Sequence, residues 1–246
     1  MSESNRTAVV TGASRGFGRA IAAALVASGD RVVGVARDEQ ALRELRAELG
    51  ERFVPLAADA TEDTVAEQVI REYRPELLVL NAGARPPLAP VHEQSWETFG
   101  RNWETDTKQA FVWIGAALRA PLPPGSAVIA MSSGAALNGS PLSGGYAGAK
   151  ATIRFLRTYA ADESQRADLG IRFVALLPRL TPATGLGADA VAGYAAREGT
   201  DVDAYVTGMG PVLTPDQVGK AVVELAGDPD SAAEYLVSGA GLRQIG

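Results

Sequence analysis

The chain contains no cysteine, which removes thiol nucleophiles, thiolate metal sites and disulfides together. It has one histidine, His92, in a stretch that follows Pro90. A lone imidazole cannot build a histidine-rich metal site, so the plain reading of His92 is a loop or helix-start residue. No metal is expected. Lysine is nearly as scarce, with only Lys108, Lys150 and Lys220. No basic block offsets the net charge of -6, which argues against binding to a nucleic-acid backbone. No stretch approaches the roughly 20 uninterrupted apolar residues of a membrane span. Residues 1–7 are polar and lack the apolar run of a signal peptide. The expectation is a cytoplasmic protein without membrane contact.

What is present is apolar and rhythmic. Hydrophobic residues make up 46% of the chain, enough for a substantial core at this length. Short apolar runs at 7–11, 31–36, 53–57, 77–80, 127–131, 171–177 and 235–237 read as strands. Most are unbroken rather than alternating, the pattern of strands buried on both faces of a parallel sheet. Helical patterns at 17–28, 39–49, 61–73, 95–120, 145–167 and 215–226 separate them. Gly29 and Gly50 supply stops, and Thr61-Glu62-Asp63 supplies a capping start. The alternation predicts an α/β fold: a Rossmann-like, doubly wound, seven-stranded, mainly parallel sheet with helices on both faces. With no linker and no repeat, one domain covering 1–246 fits best, its one irregular stretch being 182–211.

The first strand runs into Thr11-Gly12-Ala13-Ser14-Arg15-Gly16-Phe17-Gly18 and then an alanine-rich helix. Gly12 permits the sharp exit from the strand, and Gly16 lets backbone approach a pyrophosphate. Gly18 lets the helix pack on the sheet, with the helix N-terminus facing the anion. The glycine spacing, led by threonine, resembles the TGxxxGxG signature of the short-chain dehydrogenase/reductase family, and the resemblance extends over nearly the whole chain. The family's Tyr-x-x-x-Lys is matched by Tyr146-Ala-Gly-Ala-Lys150. Four residues apart on a helix, both side chains share a face. A phenol with a pKa near ~10 is a poor base at neutral pH. A nearby ammonium favours the phenolate, so one group can donate a proton in reduction and accept one in oxidation.

The resemblance implies further roles. Ser133 matches the serine that hydrogen-bonds the substrate oxygen, with Ser132 the competing candidate. Asn81-Ala82-Gly83 resembles the motif that lies beside the cofactor, and Asp59, followed by Ala60, resembles the acidic residue that contacts adenine. Asp106 stands where the family has a fourth catalytic residue, an asparagine that helps hold a water linking the lysine to solvent; Asn102 lies one turn earlier. A carboxylate at 106 would compete for the charge of Lys150. After the sixth strand the family's Pro-Gly and nicotinamide-contacting threonine meet Pro178-Arg179, with either Thr181 or Thr184 as the threonine. Arg179 reads as a solvent-facing loop residue or a contact for an anionic substrate.

The second strand ends Ala36-Arg37-Asp38. Ala36 stands where NAD-dependent relatives place an acidic ribose ligand, and Arg37 with Arg15 would hold a 2'-phosphate. NADP(H) is therefore preferred over NAD(H), although a one-residue slip of that alignment would make Asp38 the ribose ligand. The stretch 182–211, with Tyr194, Tyr205 and Met209, corresponds to the family's substrate lid. Leu137, Asn138, Leu142 and the Arg85-Pro86-Pro87 turn complete a pocket suited to a mostly apolar substrate. The reading is an NADP(H)-dependent oxidoreductase interconverting a carbonyl and an alcohol. The alternatives are a non-catalytic nucleotide-sensing protein on the same fold, or an epimerase or lyase using the same pair. The long helices 95–120 and 145–167 match those that relatives use for dimer and tetramer contacts, so a homo-oligomer is expected.

Overall fold

The computed structural model describes residues 6–245; residues 1–5, on which part of the leader-free reading rests, lie outside them. The chain runs β1 (Thr7–Thr11), α1 (Gly16–Ala27), β2 (Arg31–Ala36), α2 (Glu39–Leu49), β3 (Phe53–Ala57), α3 (Asp63–Tyr73) and β4 (Leu77–Leu80). After β4 come α4 (Trp96–Asn102), a π turn (Trp103–Thr107), α5 (Lys108–Arg119), β5 (Ala127–Met131) and the short α6 (Ala135–Asn138). The last part holds α7 (Gly144–Arg166), β6 (Arg172–Pro178), α8 (Gly185–Glu198), α9 (Val202–Gly208), α10 (Pro215–Gly227), β7 (Glu234–Ser238) and β8 (Gly241–Gln244). The strands form one sheet in the order β3-β2-β1-β4-β5-β6-β7-β8, parallel throughout except for the final β7–β8 pair. Strand order reverses between β1 and β4, so the loops that follow these two strands diverge and open a crevice at their carboxyl ends.

Side chains of the inner strands alternate between two apolar layers. Ala8, Val10, Leu77 and Val79 face Ile21, Leu25, Leu42, Val218 and Val222 of α1, α2 and α10. Val9, Val33, Leu78 and Leu80 face Val69, Ile70, Trp113 and Ile153 of α3, α5 and α7. Both faces are covered, which is why the period of two is invisible as polarity in the strand sequences. Trp113 is fully buried and donates its indole N–H to the Ala60 carbonyl at 2.9 Å, fastening the loop after β3 to α5. Trp113→Ala should cost about 3–5 kcal/mol of unfolding free energy by chemical denaturation. A loss below about 1 kcal/mol would contradict this packing.

Three differences from the expected pattern have physical causes. The sheet has eight strands among the described residues rather than seven. Gly241–Gln244 folds back on the sheet edge, where one covered face suffices and no apolar run is needed; only Leu242 packs on the core. The expected helix 95–120 is broken. Ser95 caps α4 in a reciprocal capping box with Thr98, and the wider π turn separates α4 from α5. The irregular stretch 182–211 is mostly helical, with Thr184 capping α8, Gly199 ending it at φ 68°, and Asp201 capping α9.

Candidate active site

The sequence places a tight turn after β1, and its glycines are there for space. Gly12 has φ 69°, and a Cβ on it would lie 2.8 Å from Ala82 Cα. A Cβ on Gly18 would fall 2.1 Å from the Gly12 carbonyl oxygen. The turn is tied to the end of β4 by polar contacts. Asn81 Nδ2 donates to the Thr11 carbonyl at 3.0 Å, while the Asn81 and Ala82 N–H groups donate to Thr11 Oγ1 at 2.9 and 3.0 Å. The hydroxyl also meets Gln109 Oε1 at 3.0 Å. Arg15, at the N-cap of α1, makes no side-chain cap, so the first-turn N–H groups face the crevice without one.

A cleft of about 890 Å³ runs from this turn across the carboxyl ends of the strands. Of the residues singled out from the sequence, Gly12, Ser14, Arg15, Gly16, Phe17, Arg37, Asp59, Ala60, Asn81, Ala82, Gly83, Asp106, Ser133, Tyr146, Lys150, Pro178 and Thr181 line it. Gly18 sits buried beneath it, packing against the turn. Asp59 Oδ1 accepts both the N–H and the hydroxyl of Thr61 at 2.9 Å, and these bonds, with the Arg37 and Lys108 charges, hold its carboxyl below the usual range. Asp38 lines the same end, but its Oδ1 accepts the Ala41 N–H at 3.0 Å and so caps α2.

At the other end, α7 brings Tyr146 and Lys150 onto one face. The Lys150 ammonium lies 5.6 Å from the Tyr146 ring centre. Lys150 is fixed at two points, to the last residue of β5 and to the residue after it. Its Nζ donates to the Met131 carbonyl at 3.1 Å, and its own carbonyl accepts the Ser132 hydroxyl at 2.8 Å. The Ser132 hydroxyl proton is thereby occupied, whereas Ser133 Oγ accepts the Ala135 N–H at 3.2 Å and favours ionisation of the Tyr146 phenol. Burial pushes the Tyr146 phenol up; Lys150 and Ser133 pull it down, Asp106 and Tyr194 push it up, and the balance lies above the ordinary tyrosine value. Burial alone would lower Lys150, but the Asp106 carboxylate and Tyr146 outweigh it, leaving the ammonium more firmly protonated than usual.

Asp106, in the π turn, is 3.1 Å from Lys150 Nζ through Oδ2, and both side chains are almost fully buried. Its Oδ1 accepts the Ala84 N–H at 2.9 Å and Asn102 Nδ2 at 3.1 Å. Asn102 also donates to the Ala84 carbonyl at 2.9 Å. Room for the carboxylate comes from Gly83, where a Cβ would stand 2.7 Å from Oδ2.

The threonines after β6 are both occupied within the protein. The Thr181 hydroxyl donates to the Leu213 carbonyl and accepts the Ala183 N–H at 3.1 Å. Thr184 accepts the Gly187 N–H at 3.1 Å, and its methyl is the nearest neighbour of the Gly16 Cβ position, at 3.8 Å. Arg179 is exposed at the cleft beside Gly134, and Leu137, Asn138 and Tyr205 line it too, whereas Leu142 packs behind Gly193. His92 sits exposed in a short turn away from this cleft.

The family profile of the short chain dehydrogenases matches residues 6–195. The chain belongs to the short-chain dehydrogenase/reductase family. One relative is an uncharacterized short-chain type dehydrogenase/reductase of Sinorhizobium fredii, 31% identical over 94% of this chain but only 41% of its own length. The cis-4-hydroxycyclohexanecarboxylate dehydrogenase of Sinomonas cyclohexanicum is 34% identical over 94% of this chain and 92% of its own. The NADPH-dependent pterin aldehyde reductase of Arabidopsis thaliana is 31% identical over 70% and 74%. The chain thus spans less than half of the first relative and nearly all of the second. It is a short-chain oxidoreductase by family, and no helix among its described residues is long and apolar enough to cross a membrane.

Several contacts at this short-chain dehydrogenase/reductase site carry no local sequence signal. Arg85 Nη1 meets Asp189 at 2.9 Å, joining the loop after β4 to α8. Tyr194 stacks on Tyr205 at 6.4 Å and hydrogen-bonds Ser140. Asn102 was legible only as a polar residue one turn before Asp106; its amide positions that carboxylate.

Proposed function

We propose that the protein interconverts a ketone or aldehyde and an alcohol with NADP(H), Tyr146 moving the proton. The observation that carries this reading is the clustering of Ser133, Tyr146 and Lys150 at one end of a cleft whose other end is the glycine turn of β1. The cradle suits a dinucleotide, because Gly12 and Gly18 leave no room for side chains and the α1 N-terminus faces the crevice. The turn through Gly18, Arg37, Asp59 to Ala60, Asn81 to Gly83 and Pro178, together with Tyr146 and Lys150, would hold the cofactor, which supplies or takes the hydride when bound. Thr181 would serve through backbone or methyl contacts, since its hydroxyl already donates and accepts within the protein, whereas the Gly187 bond uses only the accepting side of the Thr184 hydroxyl. Ser133 would donate to the carbonyl oxygen and Tyr146 would deliver the proton as that oxygen gains charge. Lys150 steadies the phenolate left behind.

Arg15 and Arg37 favour the 2'-phosphate form, and the capping role of Asp38 removes one carboxylate oxygen from competition for the ribose. At least three relatives carry NADP or NADPH dependence in their names. The substrate body is largely apolar, meeting Leu137, Leu186, Tyr194 and Tyr205, with α8 and α9 as the lid. Arg179 at the mouth suits a substrate with a carboxylate, as in the compound named for the Sinomonas relative. Exposed Phe111, Phe155 and Tyr159 on α5 and α7 fit a homo-oligomer.

The test is NADPH oxidation against neutral and carboxylated cyclic ketones, aldehydes, quinones and oxoacyl thioesters. Turnover of at least one carbonyl is expected. Tight NADPH binding with no turnover of any would favour a nucleotide-sensing protein, and cofactor-neutral conversion would favour an epimerase or lyase.

A further inference from the structure

We propose that Asp106 acts as a positioning residue which ties up the charge of Lys150 and biases this site toward carbonyl reduction. The proposal rests on the reading of Tyr146 as the proton-transfer group. Its basis is geometric. Asp106 Oδ2 stands 3.1 Å from Lys150 Nζ, with side-chain exposures of 1% and 6%. The carboxylate is fully bonded, through Ala84 and Asn102 on one oxygen and Lys150 on the other. Such a pair persists in the interior only when its hydrogen bonds are satisfied, and here they are.

The electrostatic consequence follows from distance. An isolated ammonium beside Tyr146 would favour the phenolate strongly. A carboxylate at contact distance turns that ammonium into half of a dipole, and its field at the phenol falls accordingly. The groups facing the phenol are Lys150 from its own helix, Ser133 after β5, Asp106 from the π turn and Tyr194 from α8. Burial and the last two oppose ionisation, while Lys150 and Ser133 assist it, with a net upward result. A protonated phenol is the form that reduction consumes. Reduction should therefore stay level through neutral pH and fall only as pH passes the raised phenol value. Oxidation requires the phenolate and should climb with pH toward that same value.

Tyrosinate absorbance, titrated in the ligand-free protein with Tyr146→Phe as the subtraction reference, reads the phenol directly. In the wild type Tyr146 should ionise at or above the pH of free tyrosine. In Asp106→Asn, subtracted against Asp106→Asn/Tyr146→Phe, the step should move down by about one pH unit or more. The acidic limb of kcat for alcohol oxidation should move with it, raising the oxidation-to-reduction ratio at neutral pH about tenfold. An unmoved step in the variant would overturn the proposal. So would a wild-type step below that of free tyrosine, a result that needs no Asp106 variant to fold; Asp106→Ser provides a second way to remove the charge. The titration uses neither cofactor nor substrate, so a failed carbonyl panel and a failed Asp106 coupling are separate results.

Discussion

Tyr146→Phe is expected to lower kcat for carbonyl reduction by about 10²–10⁴-fold while NADPH still binds with near wild-type affinity. The substitution removes one oxygen from a ring that stays beside Lys150 and lines the same cleft, so the cleft keeps its shape. What disappears is the phenolic proton that Ser133 and Lys150 jointly influence. Binding survives because most of the cofactor cradle is made by other residues, among them the turn through Gly12, Gly16 and Gly18 and Asn81. Stopped-flow binding of NADPH alongside steady-state turnover separates the two effects. Residual kcat within about fivefold of wild type would sink the proton-transfer assignment.

Arg15→Ala together with Arg37→Ala should weaken NADPH by about 100-fold and NADH by no more than about threefold. The estimate takes two charge-assisted hydrogen bonds to a 2'-phosphate at the low end of their range, because both guanidiniums are exposed and screened. The contrast between cofactors carries the information. General damage to the loop would weaken both alike, and that result would remove the 2'-phosphate assignment. The Ala41 contact of Asp38 sharpens the expectation, since Asp38→Ala should destabilise α2 through its lost cap.

The parts of this molecule that were legible in the sequence are those whose cause is local. A glycine turn between a strand and a helix, two side chains four apart on α7, and strands with both faces covered each leave a pattern within a few residues. Strands β1 to β5 accordingly begin and end where their apolar runs do. β8 was not legible, because an edge strand exposed on one side needs no apolar run, and Gly241–Gln244 has none. The lid helices were not legible either. Alanine and glycine dominate α8, so the contrast between its buried and exposed faces is slight, and its caps at Thr184 and Gly199 stand out only once the helix is known.

Site chemistry followed the same rule. Ser133 could be ranked above Ser132 only by resemblance, whereas the structure gives Ser132 a partner of its own in the Lys150 carbonyl. The Thr181 hydroxyl is taken by Leu213, a contact set by how the segment after α9 returns to β6. The Arg85–Asp189 and Asn102–Ala84 contacts likewise depend on which loops the topology brings together.

The π turn at Trp103–Thr107 has a consequence for how the two ends of this helical stretch share their work. Just before it and within it, Asn102 and Asp106 must point at Ala84 and Lys150; downstream, Trp113 must reach the Ala60 carbonyl. A regular helix advances about 100° per residue, so a single phase serves both targets only by coincidence. The wider turn acts as a phase shifter, adding one residue's rotation between an electrostatic task and a packing task. Removing any one residue from it would force the helix to choose, losing either the carboxylate at Lys150 or the indole beneath the β3 loop.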